Sequence, residues 1–246
     1  MPSLDSNGVR IHYELAGPDD GVPTLLLHGF ASDAQLNWGG TRWIETLTGA
    51  GRLVVAPDLR GHGQSDKPHE ASAYHEDAMA GDAARLLEHL GIKEADVVGY
   101  SMGARLSLRL AAGSSERLGR VVLGGLGTQG AVQQAESIAA RLRGERGPGD
   151  PVADTFYQFA GSRPVNDLEA LACCIVGLSE SPPVDARDLR VPVLLVNGAQ
   201  DVLAGGGREL AARLPDGRFL ELPGRDHLSA VPDRRFKDAA LSFLDE

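Results

Sequence analysis

Residues 96–112 decide the fold of this chain, and they read DVVGYSMGARLSLRLAA. The stretch begins as an apolar strand, continues through Gly99-Tyr100-Ser101-Met102-Gly103 and ends in a segment with helical spacing. A G-x-S-x-G pattern between a strand and a helix places its serine on a sharp, strained turn with an exposed hydroxyl. Glycine suits both flanking positions, because a Cβ there would collide with the neighbouring strand or helix. The pattern predicts Ser101 as a nucleophile, the alternative being a glycine-flanked turn without chemistry.

Short apolar runs alternate with longer stretches of helical spacing along most of the chain. Several runs are unbroken Val and Leu, which is typical of strands buried on both faces and favours a mostly parallel sheet flanked by helices. The predicted strands are residues 10–15, 24–27, 53–56, 96–99, 121–123, 192–196 and 218–222. The predicted helices are residues 38–50, 75–90, 102–112, 208–214 and 232–244. This alternation predicts an α/β fold with right-handed crossovers.

The alternation stops between residues 128 and 188. This segment contains helix-like pieces at residues 131–142, 155–160 and 168–178, separated by Gly- and Pro-rich breakers. We expect a helical insertion on the sheet and not a second domain, and we refer to residues 128–188 as the cap segment. Residues 1–127 and 189–246 are then expected to form one core domain. A single domain with a small insertion also suits a chain of 246 residues.

The general base is expected among the seven histidines of the chain. His227 follows the last predicted strand, so it lies where a parallel sheet presents its carboxyl ends. The acid is expected after another late strand, and Asp201 follows the next-to-last one. The order Ser101, Asp201, His227 fits enzymes in which a serine elbow is followed by an acid and then a histidine. Asp226 is the competing carboxylate, although an immediate neighbour seldom folds back onto its own histidine.

Two backbone amides are candidates for holding a negative oxygen beside Ser101. The amide of Met102 opens the helix after the serine, where N–H groups point toward developing negative charge. The second donor is expected from the loop after the second predicted strand, which reads His28-Gly29-Phe30. We expect the amide of Phe30, because Gly29 allows the backbone to turn toward the serine. His28 is expected to fix this loop and not to transfer protons.

The composition limits the classes of partner. The formal net charge is -10 and Lys and Arg do not cluster, so neither nucleic acid nor an anionic membrane surface is expected as a partner. No apolar run approaches the roughly 20 residues that cross a bilayer, and no signal peptide is recognised, so a cytoplasmic location is expected. The adjacent Cys173 and Cys174 are expected to be small apolar helix residues, with reactive thiols as the alternative. No Cys or His cluster has metal-ligand spacing, so neither a metal nor an organic cofactor is expected.

These motifs together resemble the α/β-hydrolase superfamily along nearly the whole chain. The resemblance rests on His28-Gly29-Phe30, the serine elbow, residues 58–66 (DLRGHGQSD), residues 198–201 (GAQD) and residues 224–227 (GRDH). It implies the α/β-hydrolase fold with a small helical cap. It also implies that residues 58–66 form a mainly structural loop.

The resemblance also implies a reaction. A serine at the elbow argues against haloalkane dehalogenases and epoxide hydrolases, which form an ester on a carboxylate. What remains similar is a broad group of small-capped carboxylesterases, enol-lactonases, thioesterases and perhydrolases, which implies cleavage of a small or medium carboxylic ester through an acyl-enzyme on Ser101. Two alternatives stay open: a C–C bond hydrolase of diketones, in which Arg105 binds a substrate carboxylate, and a ligand receptor with incidental turnover. Phe156, Tyr157 and Phe159 of the cap segment are candidate substrate-binding residues, the alternative being that they pack the cap onto the body.

Overall fold

The computed structural model describes residues 2–128, 131–145 and 147–246. Its centre is one sheet made of β1 (Ser3–Ser6), β2 (Val9–Ala16), β3 (Val22–Leu27), β4 (Arg52–Pro57), β5 (Ala95–Tyr100), β6 (Leu118–Gly124), β7 (Val193–Gly198) and β8 (Gly217–Leu222). The strands follow one another in the order β1-β2-β4-β3-β5-β6-β7-β8. β1 with β2 and β2 with β4 are antiparallel pairs, and all other pairs are parallel. The predicted mostly parallel sheet is confirmed.

Both faces of the sheet are buried, which explains the unbroken apolar runs. Neighbouring side chains of a strand point to opposite faces. Val97 of β5 therefore joins the core on one face, and Val98 joins the core on the other. Val121 and Val122 of β6 divide in the same way. Every residue of β5 and β7 is buried, whereas β8 at the edge of the sheet is only partly covered.

Helices cover both faces. They are α1 (Trp43–Gly49), α2 (Glu76–His89), α3 (Met102–Gly113), α4 (Ala135–Leu142), α5 (Pro151–Gly161), α6 (Leu168–Ser179), α7 (Gly207–Arg213) and α8 (Arg234–Leu244). α1 and α8 share one core, in which the rings of Trp43 and Phe236 meet edge-on at 4.9 Å. α2, α3 and α7 share the core on the other face. In the described parts of the chain, no helix combines the length and the apolarity that a bilayer crossing requires.

Two local features differ from the sequence expectations. The helix predicted over residues 38–50 is a π-helical turn, Gln35–Gly39, followed by α1. A Gly-Gly pair follows Trp38, and Arg42 adopts a left-handed φ of 65°, so the helix is interrupted there. The strand β1 is not among the strands predicted from the sequence. This short strand pairs with β2 through the Asn7-Gly8 turn, whose φ angles of 56° and 85° have the positive sign that a type I′ hairpin turn requires.

The cap segment contributes α4, α5 and α6 between β6 and β7, and its described residues contain no strand. Ile138 of α4 and Leu171 of α6 belong to the same buried core as Val97 of the sheet. α6 also packs against the 3₁₀ turn Ala71–Tyr74 of the body. The three helices therefore rest on the face of the sheet that also carries α2 and α3.

Candidate active site

Ser101 lies at the elbow between β5 and α3. Its backbone has a φ of 54° and a ψ of -113°, a conformation that costs a non-glycine residue on the order of 1–3 kcal/mol. The N–H of Ser101 donates to the carbonyl oxygen of Gly124 at 2.8 Å, which ties the elbow to the end of β6. The serine side chain therefore stands at the carboxyl edge of the parallel strands, as the G-x-S-x-G pattern predicts.

Close packing requires glycine on both sides of the elbow. A Cβ on Gly103 would lie 1.9 Å from the carbonyl oxygen of Leu27, and a Cβ on Gly99 would lie 2.4 Å from Oγ of Ser107. Both distances are far inside van der Waals contact. Only glycine lets the first turn of α3 approach β3 and β5 this closely, and this approach places the serine beside the loop that follows β3.

Three side chains that are distant in sequence form one hydrogen-bonded chain at this edge. Nε2 of His227 lies 2.9 Å from Oγ of Ser101, and Nδ1 of His227 lies 2.8 Å from Oδ2 of Asp201. The Asp201 side chain is fully buried, and the His227 side chain is 18% exposed. A carboxylate on Nδ1 accepts the proton of that nitrogen and leaves Nε2 free to accept the serine proton. The Tyr100 hydroxyl donates to the carbonyl of His227 at 2.6 Å and holds the histidine loop.

Asp226, the competing carboxylate, faces its own turn. Its Oδ1 accepts hydrogen bonds from the N–H groups of Leu228 and Ser229 and from the hydroxyl of Ser229. The Ser229 hydroxyl and the N–H groups of this turn lower the pKa of Asp226. The structure therefore brings Asp201, and not Asp226, to the histidine ring.

The loop after β3 passes directly beside the nucleophile; we call residues 28–34 the oxyanion loop. A Cβ on Gly29 would lie 3.5 Å from Cβ of Ser101. The carbonyl of Gly29 accepts a hydrogen bond from Nδ1 of His28 at 2.8 Å. Because the described chain has no cis peptide bond, the N–H of Phe30 points away from that carbonyl.

The amide of Met102 is the second N–H group beside the serine. α3 begins at Met102, and its first helical hydrogen bond runs from the N–H of Arg105 to the carbonyl of Ser101. The N–H groups of the first helical turn have no acceptor within the helix. The Met102 N–H is thus free to donate to an acceptor outside the helix, next to the serine hydroxyl.

His28 is a structural part of the oxyanion loop. The side chain is completely buried, and its Nε2 accepts the N–H of Leu59 at 2.9 Å while Nδ1 donates to Gly29. Burial lowers the pKa of His28 and outweighs the opposing charge of Asp58, so the ring stays neutral. Both ring nitrogens are engaged, which agrees with the structural role expected from the sequence.

Two further side chains hold this loop, and neither is individually predicted from the sequence. Oδ1 of Asn37 accepts the N–H of Gly29 at 3.0 Å. Oδ1 of Asp58 accepts the N–H of Ala34 at 2.9 Å, and its Oδ2 accepts the N–H of Gln64 at 2.8 Å. Asp58 belongs to the stretch that the resemblance marks as structural, whereas nothing in the sequence distinguishes Asn37 from an ordinary turn residue.

A buried histidine under the oxyanion loop predicts acid sensitivity of the fold. His62 is fully buried, packs edge-on against Phe30 at 5.8 Å, and burial lowers its pKa from 6.5 to about 3. In the unfolded chain the imidazole binds a proton at higher pH than in the folded protein, so its contribution to stability is present above pH 6.5 and is lost as pH falls toward 3. We expect the free energy of unfolding to decline over this range, and His62→Asn to flatten the decline. Urea unfolding at several pH values measures how steeply the free energy of unfolding changes with pH in the parent and in His62→Asn. Equal pH dependence in the two proteins would contradict a role for His62 in acid sensitivity.

The three aromatic candidates of the cap segment do not share one environment. The ring of Phe156 lies 5.7 Å from the ring of Phe30 and so contacts the oxyanion loop. Tyr157 points about 100° further around the helix, where its ring lies under the guanidinium of Arg141 at 3.9 Å. Phe159, like Phe156 and Tyr157, is partly buried and packs against the core. The structure brings Phe156 to the site and gives Tyr157 and Phe159 packing contacts.

Other candidate residues have structural partners. Arg105 forms an ion pair with the buried carboxylate of Glu76, so its guanidinium is engaged within the protein. Cys173 and Cys174 are buried in α6, and burial raises the pKa of both thiols, which disfavours the reactive thiolate form. Within the described ranges, no group of three or more His, Cys, Asp or Glu side chains is placed to hold a metal ion.

Comparison with known proteins agrees with this architecture. The model of the alpha/beta hydrolase fold family matches residues 22–159, and the chain belongs to that family. It is 36% identical over 123 residues to a haloalkane dehalogenase from Mycolicibacterium paratuberculosis, covering 50% of this chain and 40% of the relative. It is 33% identical over 164 residues to an epoxide hydrolase from Caballeronia sordidicola, covering 67% of this chain and 46% of the relative. The chain thus spans less than half the length of these curated relatives.

A solved structure matches over a much larger share of both chains. A thermophilic esterase from Thermogutta terrifontis is 27% identical, with a TM-score of 0.79, and the match covers 99% of this chain and 96% of the esterase. The likeness therefore includes the cap segment as well as the sheet. The superfamily that the sequence motifs indicate is confirmed.

Proposed function

We propose that the chain is a serine hydrolase that cleaves a small or medium carboxylic ester through an acyl-enzyme on Ser101. The continuous hydrogen-bonded chain from Asp201 through His227 to Ser101, at a strained elbow, is the observation that carries the proposal. The neighbouring amides of Phe30 and Met102 supply donors for a negative oxygen. The similarity to the solved esterase supports an ester as the substrate class.

The geometry suits a two-step acyl transfer. Nε2 of His227 takes the proton of Ser101 as Oγ bonds to the ester carbonyl carbon, and the π electrons of the carbonyl move onto its oxygen. The amides of Phe30 and Met102 stabilise this oxyanion, and one such donor is typically worth about 10²–10³ in kcat. The oxyanion re-forms the carbonyl as the bond to the leaving alcohol breaks, and the imidazolium protonates the alcohol. Water then repeats both steps on the acyl-enzyme, which releases the acid and restores the serine.

We further propose that residues 1–127 and 189–246 act as the catalytic core and that residues 128–188 act as a cap over it. Phe156 of α5 contacts Phe30 beside the nucleophile, and this contact supports a role for Phe156 in the apolar roof of the substrate pocket. Tyr157 and Phe159 support the same roof indirectly, by packing α5 onto its neighbours. The expected partner is therefore an uncharged small-molecule ester.

A C–C bond hydrolase would use the same three side chains. In that reaction Arg105 would bind the carboxylate of the substrate. The guanidinium of Arg105 is already paired with the buried carboxylate of Glu76. The contact of Phe156 with Phe30 offers an apolar surface to the substrate and no cation. Ester hydrolysis is the reaction that these contacts favour.

Nitrophenyl esters with two-, four-, eight- and twelve-carbon acyl groups test the proposal. We expect turnover of the short esters and a fall of about tenfold or more at twelve carbons, because Phe156 closes against Phe30 and a long acyl chain must displace it. Initial rates at subsaturating concentration give kcat/KM for each ester. A folded protein that turns over none of the four esters would overturn ester hydrolysis, and activity on a vinylogous diketone would then favour the C–C reaction.

A further inference from the structure

The turn between α5 and α6 reaches across to the oxyanion loop. Nη2 of Arg163 donates to Oδ2 of Asp33 at 2.5 Å, and the two side chains are 22% and 10% exposed. Nδ2 of Asn166 donates to the carbonyl of Ala31 at 3.1 Å and to the carbonyl of Ala160 at 3.1 Å. One amide group thus joins the end of a cap helix to the backbone of the oxyanion loop.

Asp33 is a fixed partner for the arginine. Its Oδ1 accepts the N–H of Leu36 at 2.7 Å, so each carboxylate oxygen has its own donor. Burial acts to raise the pKa of Asp33, but the hydrogen bonds from Leu36 and Arg163 outweigh it and bring the pKa below its usual value. The carboxylate therefore stays charged at neutral pH, and its partial burial reduces the screening that weakens surface ion pairs.

The body of the protein holds the same loop from its other side. Asn37 binds the N–H of Gly29, and His28 binds its carbonyl. Between these bonds and the cap contacts lie Phe30 and Ala31, and Ala31 has a left-handed φ of 57°. A non-glycine residue keeps such a conformation only where its surroundings fix it. The peptide that carries the Phe30 N–H is therefore clamped between the core and the cap segment.

The cap segment contacts three residues of this loop. Phe156 touches the ring of Phe30, Asn166 binds the carbonyl of Ala31, and Arg163 binds the carboxylate of Asp33. All three contacts come from α5 or the turn that follows it. A movement of this part of the cap therefore acts on the oxyanion loop through all three contacts together.

We propose that Arg163 and Asn166 are positioning residues that couple the seating of the cap segment to the orientation of the Phe30 amide. The oxyanion hole is then complete only when the turn after α5 is docked on the loop. This inference rests on the proposed function. It adds that the cap contributes to the rate of the chemical step as well as to substrate binding.

The physical reason is the narrow geometric tolerance of such a site. Oxyanion donors act at about 2.7–3.1 Å from the developing charge, and a misplacement of about 1 Å can cost about 10²-fold in rate. Loss of Arg163 leaves the bonds from Asn37 and His28 in place and removes one of the three cap contacts, so the loop stays attached to the body while its cap side is held less firmly. The hydrogen bonds among Ser101, His227 and Asp201 do not involve Arg163 and are unchanged by its loss.

Arg163→Met and Asn166→Ala test the inference, with Arg143→Met as the matched control. Arg143 also belongs to the cap segment and pairs with Glu169 at 3.0 Å, with 27% of its side chain exposed, but that pair joins α4 to α6. We expect Arg163→Met to lower kcat about 10- to 100-fold with KM within about threefold. Arg163→Lys should recover part of the loss, and Arg143→Met should stay within about threefold of the parent. A thermal unfolding curve for each variant confirms that it is folded.

A second measurement separates this inference from the proposed function. Hydrogen exchange followed by mass spectrometry on peptides covering residues 28–34 should be faster in Arg163→Met and unchanged in Arg143→Met. If the parent hydrolyses no ester, the proposed function fails, and the exchange data still decide whether Arg163 fixes the loop. Unchanged exchange in Arg163→Met overturns the coupling. Faster exchange with an unchanged kcat, or a loss confined to KM, overturns the positioning role.

Discussion

Replacing Ser101 with alanine should lower kcat/KM for a four-carbon nitrophenyl ester by about 10⁴- to 10⁶-fold. The variant loses the Oγ that forms the acyl bond, while the donors of Phe30 and Met102 remain and sustain only a small residual rate. The variant should fold, because alanine can adopt the backbone conformation of Ser101 at a similar steric cost. Only the 2.9 Å hydrogen bond with His227 is lost. Initial rates on protein prepared in parallel with the parent measure the effect.

Ser107→Ala is the matched control for that experiment. Ser107 lies in the same helix, is buried, and donates its hydroxyl to the carbonyl of Gly103 at 2.8 Å. Its removal takes away one hydroxyl near the elbow and none from the hydrogen-bonded chain, so the rate should stay within about threefold of the parent. A Ser101→Ala protein that keeps more than a tenth of the parent activity would rule out the serine as the nucleophile.

Asp201→Asn should lower kcat by about 10⁴-fold, the loss seen when the corresponding aspartate of a serine protease is changed in this way. An asparagine can present an N–H to Nδ1 of His227, which favours the tautomer that carries its proton on Nε2. Nε2 is then unable to accept the proton of Ser101. The buried position of Asp201 excludes water as a substitute acceptor.

Asp226→Asn is the comparison that the sequence itself suggests, since Asp226 adjoins His227. Its carboxylate binds Leu228 and Ser229 in its own turn, so we expect kcat within about threefold of the parent and a small loss of stability. Steady-state kinetics of the two variants side by side decide between the carboxylates. The reverse order of effects would assign the acid to Asp226.

The sheet and the three central side chains follow from the sequence for the same physical reason. Strands buried on both faces are unbroken apolar runs, and such strands are parallel and end at one common edge. Residues that follow different strands, such as Ser101, Asp201 and His227, therefore meet in space without any sequence proximity. The short polar strand β1 could have been predicted from a different signal, the Asn7-Gly8 pair, which is typical of a two-residue hairpin turn.

The contacts of the cap segment do not follow from the sequence. Phe156 and Tyr157 are adjacent and both aromatic, and only the rotation of α5 about its axis decides which of them reaches Phe30. The partner of Arg163 is Asp33, 130 positions earlier in the chain, and a charged pair at that separation has no spacing signal. Helical periodicity predicts which residues are buried, but not which distant loop they are buried against.

The strained backbone of Ser101 sets two selective pressures against each other. Glycine would adopt a φ of 54° without the steric cost that serine bears, so selection for thermostability alone favours glycine at position 101. Selection for turnover favours serine at the same position. Directed evolution of this chain toward heat resistance will therefore accumulate inactive variants with glycine at position 101, unless each round also screens for ester cleavage.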